Sequence, residues 1–412
     1  MRLKVLHIIT RLIIGGADEN TLLTAIHADP DRFDVSLAYG AEYDDLHVET
    51  AARHGVATRH LPKMINVPAP LLDAQVIAEL VSWMRHERFH IVHTHETKAG
   101  FVGRVAARLA GVPIIIHSVH GWGFGSLRIW WLDSVLRTFE RLTGRWCDAI
   151  FFVTDALRKQ SIELGIGRPE VLQVAYSGID IERYARPSRE ALAARGGHPK
   201  DPAVVAMIAR LAPGKGHDTF LQGVALVADR LPGVRFWLVG DGESMNEIRA
   251  AIERRGLRDR IDLLGKREDV PELLAEVDVV VRMMDEKAIY REGIPRTITE
   301  ALAAGKTLIA ADVGGVTEIV RHGENGIVIP PSNPEALAEE LLRVCTDAAL
   351  RQRLGEAAER SVGTRFHYRT MVRQICDTYL RLAEAKGLLD SRKLPPEFPP
   401  PSGGQNGSQD SR

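Results

Sequence analysis

What most constrains this chain is the order of its apolar runs. Short, continuous, β-branched runs alternate with longer amphipathic stretches from one end to the other. In the first half they are "KVLHIIT", "DVSLAYG", "HIVHTH", "PIIIHSV" and "AIFFVT". In the second they are "AVVAMIA", "RFWLVG", "IDLLG", "VDVVVRM", "TLIAADV" and "GIVIP". Strands that are apolar on both faces must be covered on both faces, the condition of a parallel sheet held between helices. Two such series, each complete enough for its own domain, predict an α/β fold of two doubly wound, Rossmann-like domains facing across a cleft. The length of 412 residues also exceeds what one core ordinarily serves.

The stretch "ARPSREALAARGGHPKDP", residues 185–202, is rich in Pro, Gly and charge and marks the expected boundary. Residues 1–184 would form the first domain and 203–365 the second. The last helical segment, about 366–388, is expected to cross back and complete the first domain. The Pro-, Gly- and Ser-rich tail 389–412 is expected to be disordered.

Composition narrows the function classes. A formal net charge of −1 speaks against nucleic acid as a partner, since its binders are usually basic. Cys147, Cys345 and Cys376 are scattered without metal-ligand spacing, which points to a reduced, cytoplasmic compartment. The N-terminus, "MRLKVLHIITRLIIGG", is too broken in its apolar run for a signal peptide, and no segment reaches the roughly 20 apolar residues of a membrane span.

In open α/β folds, ligands bind where strands lead into helices. "MIARLAPGKGHDTF" carries Arg210 and Lys215 on such a turn, separated by a Pro-Gly pair. Two cations before a helix N-terminus suit an anion, although a solvated loop with incidental bases gives the same sequence. It is not a P-loop, which ends Gly-Lys-Ser/Thr. In "LLGKREDVPELL", Gly265, Lys266 and Arg267 would line the cleft, while Asp269 with Glu272 reads as a capping box. "EGIPRTITEALAAG" sets Glu292 on a loop before Pro295 and Glu300 inside the following helix, so that both can face its N-terminus. Caps or surface charges would read the same. Gly15 and Gly16 follow the first strand and permit close backbone approach, as an ordinary turn also would. They lack the dinucleotide fingerprint, which disfavours a dehydrogenase. "HTHETKAG" and "HSVHGWGF" are rich in histidine, but His93 and His95 alternate along a strand with no further ligand at metal spacing. Metal binding is therefore not expected. His120, at a strand end, is better placed to touch a substrate.

Together these stretches resemble one family, the retaining glycosyltransferases of family four, whose two-Rossmann architecture is called GT-B. The resemblance covers nearly all of residues 3–388. It rests on "EGIPRTITEALAAG" with its Glu-x7-Glu pair, "GGVTEIVRHGENGIVI", "ARLAPGKG", "GGADENTL", "HTHETKAG" and "SVHGWGF". It implies that the first domain binds the acceptor, with Gly15 and Gly16 on that side, and that the second binds a UDP- or GDP-linked sugar. Arg210 and Lys215 would neutralise the departing diphosphate without a metal or other cofactor. Glu300 would hold the ribose and Glu292 the sugar. Gly265, Lys266 and Arg267 would sit by the nucleotide, backbone amides around Gly293 and Ile294 by sugar or phosphate oxygens, and His120 by a sugar hydroxyl. Asp18 departs from the Gln or Glu common after the glycine pair, and "RMMDEKAIYREG" is longer and more charged than usual.

Trp122, Trp130, Trp131 and Trp146 lie among Arg128, Arg137, Arg141 and Arg145. Such a stretch suits either packing within the domain or rest on an anionic membrane surface. The second reading would place the protein at the inner face of the cytoplasmic membrane with a polyprenyl-diphosphate-linked glycan as acceptor. The rival readings are a nucleotide-sugar 2-epimerase and a non-catalytic nucleotide-sugar-binding protein.

Overall fold

The structure is a computed structural model that describes residues 2–13, 15–124, 130–201, 203–286 and 293–389, with residues 130–132 by backbone alone. Seven parallel strands build the first sheet: β1 (Leu3–Leu12), β2 (Phe33–Tyr43), β3 (Ala57–His60), β4 (Ile91–His95), β5 (Ile114–Val119), β6 (Ala149–Phe152) and β7 (Leu172–Val174). Their order is β3-β2-β1-β4-β5-β6-β7. The connecting helices are α1 (Gly16–His27), α2 (Asp45–Arg53), α3 (Pro70–Glu87), α4 (Thr97–Ala110), α5 (Trp130–Gly144) and α6 (Asp155–Leu164).

A long helix, α7 (Ile181–Ala194), leads to the second sheet. Its strands are β8 (Val204–Ile208), β9 (Arg235–Val239), β10 (Ile261–Gly265), β11 (Val279–Arg282), β12 (Thr307–Ala311) and β13 (Ile327–Ile329), in the order β10-β9-β8-β11-β12-β13, again all parallel. Between and after them run α8 (His217–Val227), α9 (Met245–Arg254), α10 (Val270–Glu276), α11 (Arg296–Ala303), α12 (Pro334–Thr346), α13 (Ala348–Val362) and α14 (Tyr368–Ala385). The two sheets with flanking helices are the expected α/β architecture.

Period two decides what each strand faces. On β1, Val5 and Ile9 join the core under α1 and α14, while Leu6 and Ile8 join the core under α3 and α4. Helix α14 returns to the first sheet and buries Met371, Ile375 and Tyr379 there. The expected boundary is corrected. Residues 185–194 are the body of α7, with Pro187 inside the helix, and Ile179 and Tyr184 already belong to the core of the second domain. Amphipathic burial of Tyr184, Ala185 and Ser188 outweighs a composition that looks like a linker. The tail from 390 onward lies outside the described residues.

Candidate functional site

Each sheet has one switch point, β1/β4 in the first and β8/β11 in the second, where strand order reverses and ligands bind in such folds. In the second domain the chain leaves β8 and reaches α8 through Arg210 to Gly216. Gly216 is the N-cap of α8 with φ +75°, and a Cβ there would lie 2.6 Å from the Met283 side chain. Only glycine lets the loop sit this low on the sheet. Exposed Arg210 reaches Glu243 at 3.0 Å. Lys215 is half-buried, and its carbonyl accepts from the Arg282 guanidinium at 3.4 Å. Arg282 is a site residue that sequence reasoning missed, although a base inside "VVVR" was its signal. Burial lowers its pKa to about 10, which still leaves it charged at neutral pH. Three cations and a helix N-terminus therefore converge on one loop, the electrostatics of a phosphate site.

Gly265 joins this layer. It ends β10 at φ +68° and accepts from Gly240 N at 2.8 Å, while Leu211 N donates to Asp241 O at 2.9 Å. The loops after β8, β9 and β10 are thus tied edge to edge. Lys266 pairs with Glu268 at 3.6 Å and Arg267 with Asp269 at 2.7 Å, all beside solvent. The capping box is not formed. Asp269 stands at the N-cap of α10 without a side-chain bond to the helix, because its carboxylate takes Arg267 instead.

Glu292 lies outside the described residues. Gly293 follows it, buried against the first domain, where a Cβ would come within 2.5 Å of Val153 Cγ2. Ile294 is half-buried and packs on the second core. Helix α11 starts at Arg296 with Pro295 as N-cap, one position earlier than the expected first-turn proline. Arg296 spans the two domains. Its Nε meets Glu300 Oε1 at 2.7 Å, and its other end pairs with Glu19 of α1. Tyr184 of α7 donates to the same Glu300 oxygen at 2.9 Å. Glu300 is 7% exposed. Burial raises its pKa, with Arg296 pulling the other way. For Arg296, burial opposes the charge but Glu19 and Glu300 outweigh it, so the guanidinium is held above its ordinary value. Glu300, the expected ribose ligand, is therefore pre-oriented by a phenol and a guanidinium.

The first domain supplies the opposite wall. Gly16 faces α11, its would-be Cβ 4.0 Å from Arg296 Cβ. At Gly15 a Cβ would stand 2.6 Å from Asp18 Oδ2. Burial first, and Glu96 second, raise the Asp18 carboxyl to about 8, so it is largely protonated at pH 7. Glu96 itself holds φ +61°, a strained conformation for a non-glycine residue. His120 sits at the end of β5, half-buried, with Nε2 3.3 Å from His95 Nδ1. Burial lowers its pKa to about 4, so it is neutral at physiological pH. A second interdomain tie was also missed. Glu318 accepts from Asp155 N at 2.9 Å and Ala156 N at 2.8 Å, at the N-terminus of α6, and from Tyr176 Oη at 2.8 Å.

Two family models match this chain: Glycosyl transferase 4-like domain over residues 15–177, and Glycosyl transferases group 1 over residues 188–361. The chain belongs to the group 1 glycosyltransferases. As a glycosyltransferase of this family it is similar to an Escherichia coli enzyme named UDP-Gal:alpha-D-GlcNAc-diphosphoundecaprenol alpha-1,3-galactosyltransferase. That pair is 26% identical over 357 residues, covering 85% of this chain and 89% of the relative. It is also similar to the Mycobacterium tuberculosis GDP-mannose-dependent alpha-(1-6)-phosphatidylinositol monomannoside mannosyltransferase, 25% identical over 77% of this chain and 82% of the other. Among solved structures, the Anabaena protein HepE in complex with UDP-glucose superposes with a TM-score of 0.75 at 25% identity, covering 92% of this chain and 100% of that one. The GT-B fold of this glycosyltransferase follows from both sheets.

Proposed function

We propose that this glycosyltransferase retains the anomeric configuration and moves a sugar from a UDP- or GDP-linked donor to a glycan or polyprenyl-diphosphate-linked acceptor, in the making of a cell-surface polysaccharide or glycolipid. The observation that carries the proposal is the facing of two walls across one cleft. Helix α11 stands on one side and Gly16 with α1 on the other, joined through the Arg296–Glu19 pair, and the cationic loop belongs to the same domain as α11. The relatives' names support the substrate classes, since they pair UDP- or GDP-sugars with lipid-linked or diphosphate-linked acceptors.

Departure of a nucleoside diphosphate builds negative charge on phosphate oxygens. Arg210, Lys215, Arg282 and the N-terminus of α8 would meet that charge, and fixed cations of this kind lower the barrier without reorganising. The reaction would then need no metal. Glu300 would accept from the ribose hydroxyls and Glu292 would hold the sugar. His120 would meet a sugar hydroxyl, and the leaving phosphate would take the acceptor proton on the same face. That geometry differs from a retaining glycosidase, which uses two carboxylates as acid and nucleophile.

Contact with a membrane belongs to the same proposal. Helix α5 is anchored inward by the Glu140–Arg104 pair at 2.7 Å. Outward it exposes Val135, Phe139 and Leu142 at helical spacing, followed by Trp146, beside exposed Arg141 and Arg145. That is an apolar stripe with basic flanks, suited to an anionic lipid face. Trp122 is corrected out of this expectation, since it is buried in the first domain with its Nε1 donating to Gln160 at 3.1 Å. Trp130, Trp131 and Arg128 belong to the expectation, but their side chains lie outside the described residues. Among the described residues no helix is long and apolar enough to cross a membrane.

The test is incubation with a panel of labelled nucleotide-sugars and lipid extract, followed by anomeric analysis of the product. A glycosylated lipid of unchanged anomeric configuration is expected. Inversion at the anomeric carbon refutes retention, epimerised free donor favours the epimerase, and binding without turnover favours the non-catalytic reading.

A further inference from the structure

A face of the first sheet that the transfer chemistry does not use directly carries a cluster of imidazoles. His93 and His95 alternate on β4 and so share a face, and β1 brings His7 into register with His93. Helix α14 lays Tyr379 over them. All four side chains are buried.

The contacts form one unbranched chain. Ser118 Oγ lies 2.7 Å from His93 Nε2, and His93 Nδ1 lies 2.5 Å from Tyr379 Oη. Tyr379 Oη lies 3.4 Å from His7 Nε2, and His7 Nδ1 lies 2.9 Å from His95 Nε2. His95 Nδ1 then lies 3.3 Å from His120 Nε2. A neutral imidazole has one N–H and one lone pair, so each ring passes a hydrogen-bond direction on, and Tyr379 does so too when its hydroxyl donates to one ring and accepts from the other. Two patterns satisfy every contact and also give the buried phenol proton an acceptor within the chain. In one, each ring carries its proton on Nε2; in the other, each carries it on Nδ1.

The Tyr379 distances select between them. A phenol is a better donor than a neutral imidazole, and its short contact is to His93 Nδ1 while its long one is to His7 Nε2. The hydroxyl therefore donates to His93 and accepts from His7. It follows that His7 Nδ1 accepts from His95 Nε2–H, and His95 Nδ1 accepts from His120 Nε2–H. His120 is left with a bare Nδ1 as the nitrogen outside the chain.

We propose that Tyr379, His7 and His95 are positioning residues, which hold His120 in the Nε2–H tautomer so that its Nδ1 accepts a hydrogen bond from a substrate hydroxyl. The link to turnover rests on the function proposed above; the tautomer assignment does not. The chain couples the C-terminal helix to the cleft, so α14 has a chemical as well as a packing reason to return to the first domain. His7, His93 and His95 also present ring nitrogens all within 4.8 Å of one another, a grouping that can hold a metal. The chain uses those same lone pairs for hydrogen bonds and satisfies them without an ion.

The experiment is nitrogen-detected NMR of ¹⁵N-histidine-labelled protein, wild type against Tyr379→Phe, with donor kinetics on the same samples. The expected result is Nε2–H for all four rings in the wild type, and mixed tautomers at His7 and His120 in the variant. The kcat should fall on the order of 10-fold, the scale on which partners that orient a functional imidazole act, with the donor KM unchanged. Where Tyr379→Phe does not fold, His7→Leu against His7→Gln takes its place, the amide restoring tautomer and rate because it both donates and accepts. Nδ1–H at His120 in the wild type, an unchanged tautomer in the variant, or a changed tautomer with an unchanged kcat each overturns the proposal. One equivalent of bound metal in the purified protein does the same. If no nucleotide-sugar is turned over at all, the transferase reading fails while the tautomer measurement still decides this one.

Discussion

Replacing Arg296 with methionine tests the join between the domains. The side chain is about the right length to fill the space, so the change removes charge and hydrogen bonds more than volume. In the protein, Arg296 Nε meets Glu300 at 2.7 Å and the guanidinium also pairs with Glu19. The side chains of Glu300 and Arg296 are only 9% and 14% exposed. Taking away the one cation strands two carboxylates of low exposure. Breaking a buried pair from one side costs about 3–5 kcal/mol, and at a size of 150–250 residues each kcal/mol moves the melting temperature by about 2–4 °C. The expected loss at pH 8 is therefore about 6–20 °C. The loss must also depend on pH. Burial already raises the Glu300 pKa above its ordinary 4.5, and without Arg296 it rises further. Below the unfolded value both states hold the proton and the carboxyl adds no penalty; between the unfolded and folded values the penalty grows with pH. Differential scanning fluorimetry at pH 5 and pH 8 reads both effects, and Glu19→Gln provides a milder control at about 1–2 kcal/mol, since its amide still accepts. A shift below about 2 °C at pH 8, or a larger penalty at pH 5 than at pH 8, would refute the reasoning.

Four further outcomes are expected. Asp18 has a folded pKa raised to about 8 from 3.8, so it costs no stability below pH 3.8 and progressively more up to pH 8. Asp18→Asn should therefore raise the melting temperature relative to wild type more at pH 8 than at pH 5, and equal shifts would mean that the carboxyl is ionised in place. Glu318→Ala should cost about 1–2 kcal/mol by chemical denaturation, the scale of a lost helix cap; a change within about 0.5 kcal/mol would show that α6 is not held from across the cleft. Lys215→Ala and Glu292→Gln should each lower kcat about 10²–10³-fold, the cost of losing one transition-state stabiliser, with melting temperature unchanged; near-normal rates in both would remove their assigned roles. Turnover should survive EDTA and dialysis, and restoration by added magnesium would contradict phosphate neutralisation by side chains alone.

How much of this was legible in the sequence depends on the range of the interaction concerned. Buried strands announce themselves by continuous apolar runs, and both main sheets follow from these. β3 and β7 did not, because "ATRH" and "LQV" are three or four residues long and only partly buried. The anion loop was legible because its chemistry is local: Arg210, Lys215 and the start of α8 lie within eight positions. The 185–202 stretch misled because composition reports the unfolded preference of a segment, whereas α7 is held by the burial of Tyr184, Ala185 and Ser188. Alternation showed that His93 and His95 share a face. It gave no sign of His7, which lies 86 positions before His93, nor of Tyr379, which lies 286 after it.

Apart from Arg282, the missed residues at the join between the domains are of one kind. Glu19, Arg296, Tyr184 and Glu318 act across a boundary between elements, and each has an unremarkable setting in sequence. Arg296 could be paired locally with Glu300, four positions on, but nothing nearby indicates that its other end crosses to α1. If Glu300 takes the ribose as proposed, such crossing contacts are also the ones a donor disturbs. A ribose that takes Glu300 competes with Arg296 and Tyr184 for the same carboxylate, and any weakening of the Arg296–Glu300 bond strengthens the hold of Glu19 on the arginine. On that proposal donor arrival and domain pairing would be linked through one guanidinium. By thermodynamic reciprocity, a variant that loosens Glu19 from Arg296 must change nucleotide affinity by the same factor that nucleotide changes the strength of that pair.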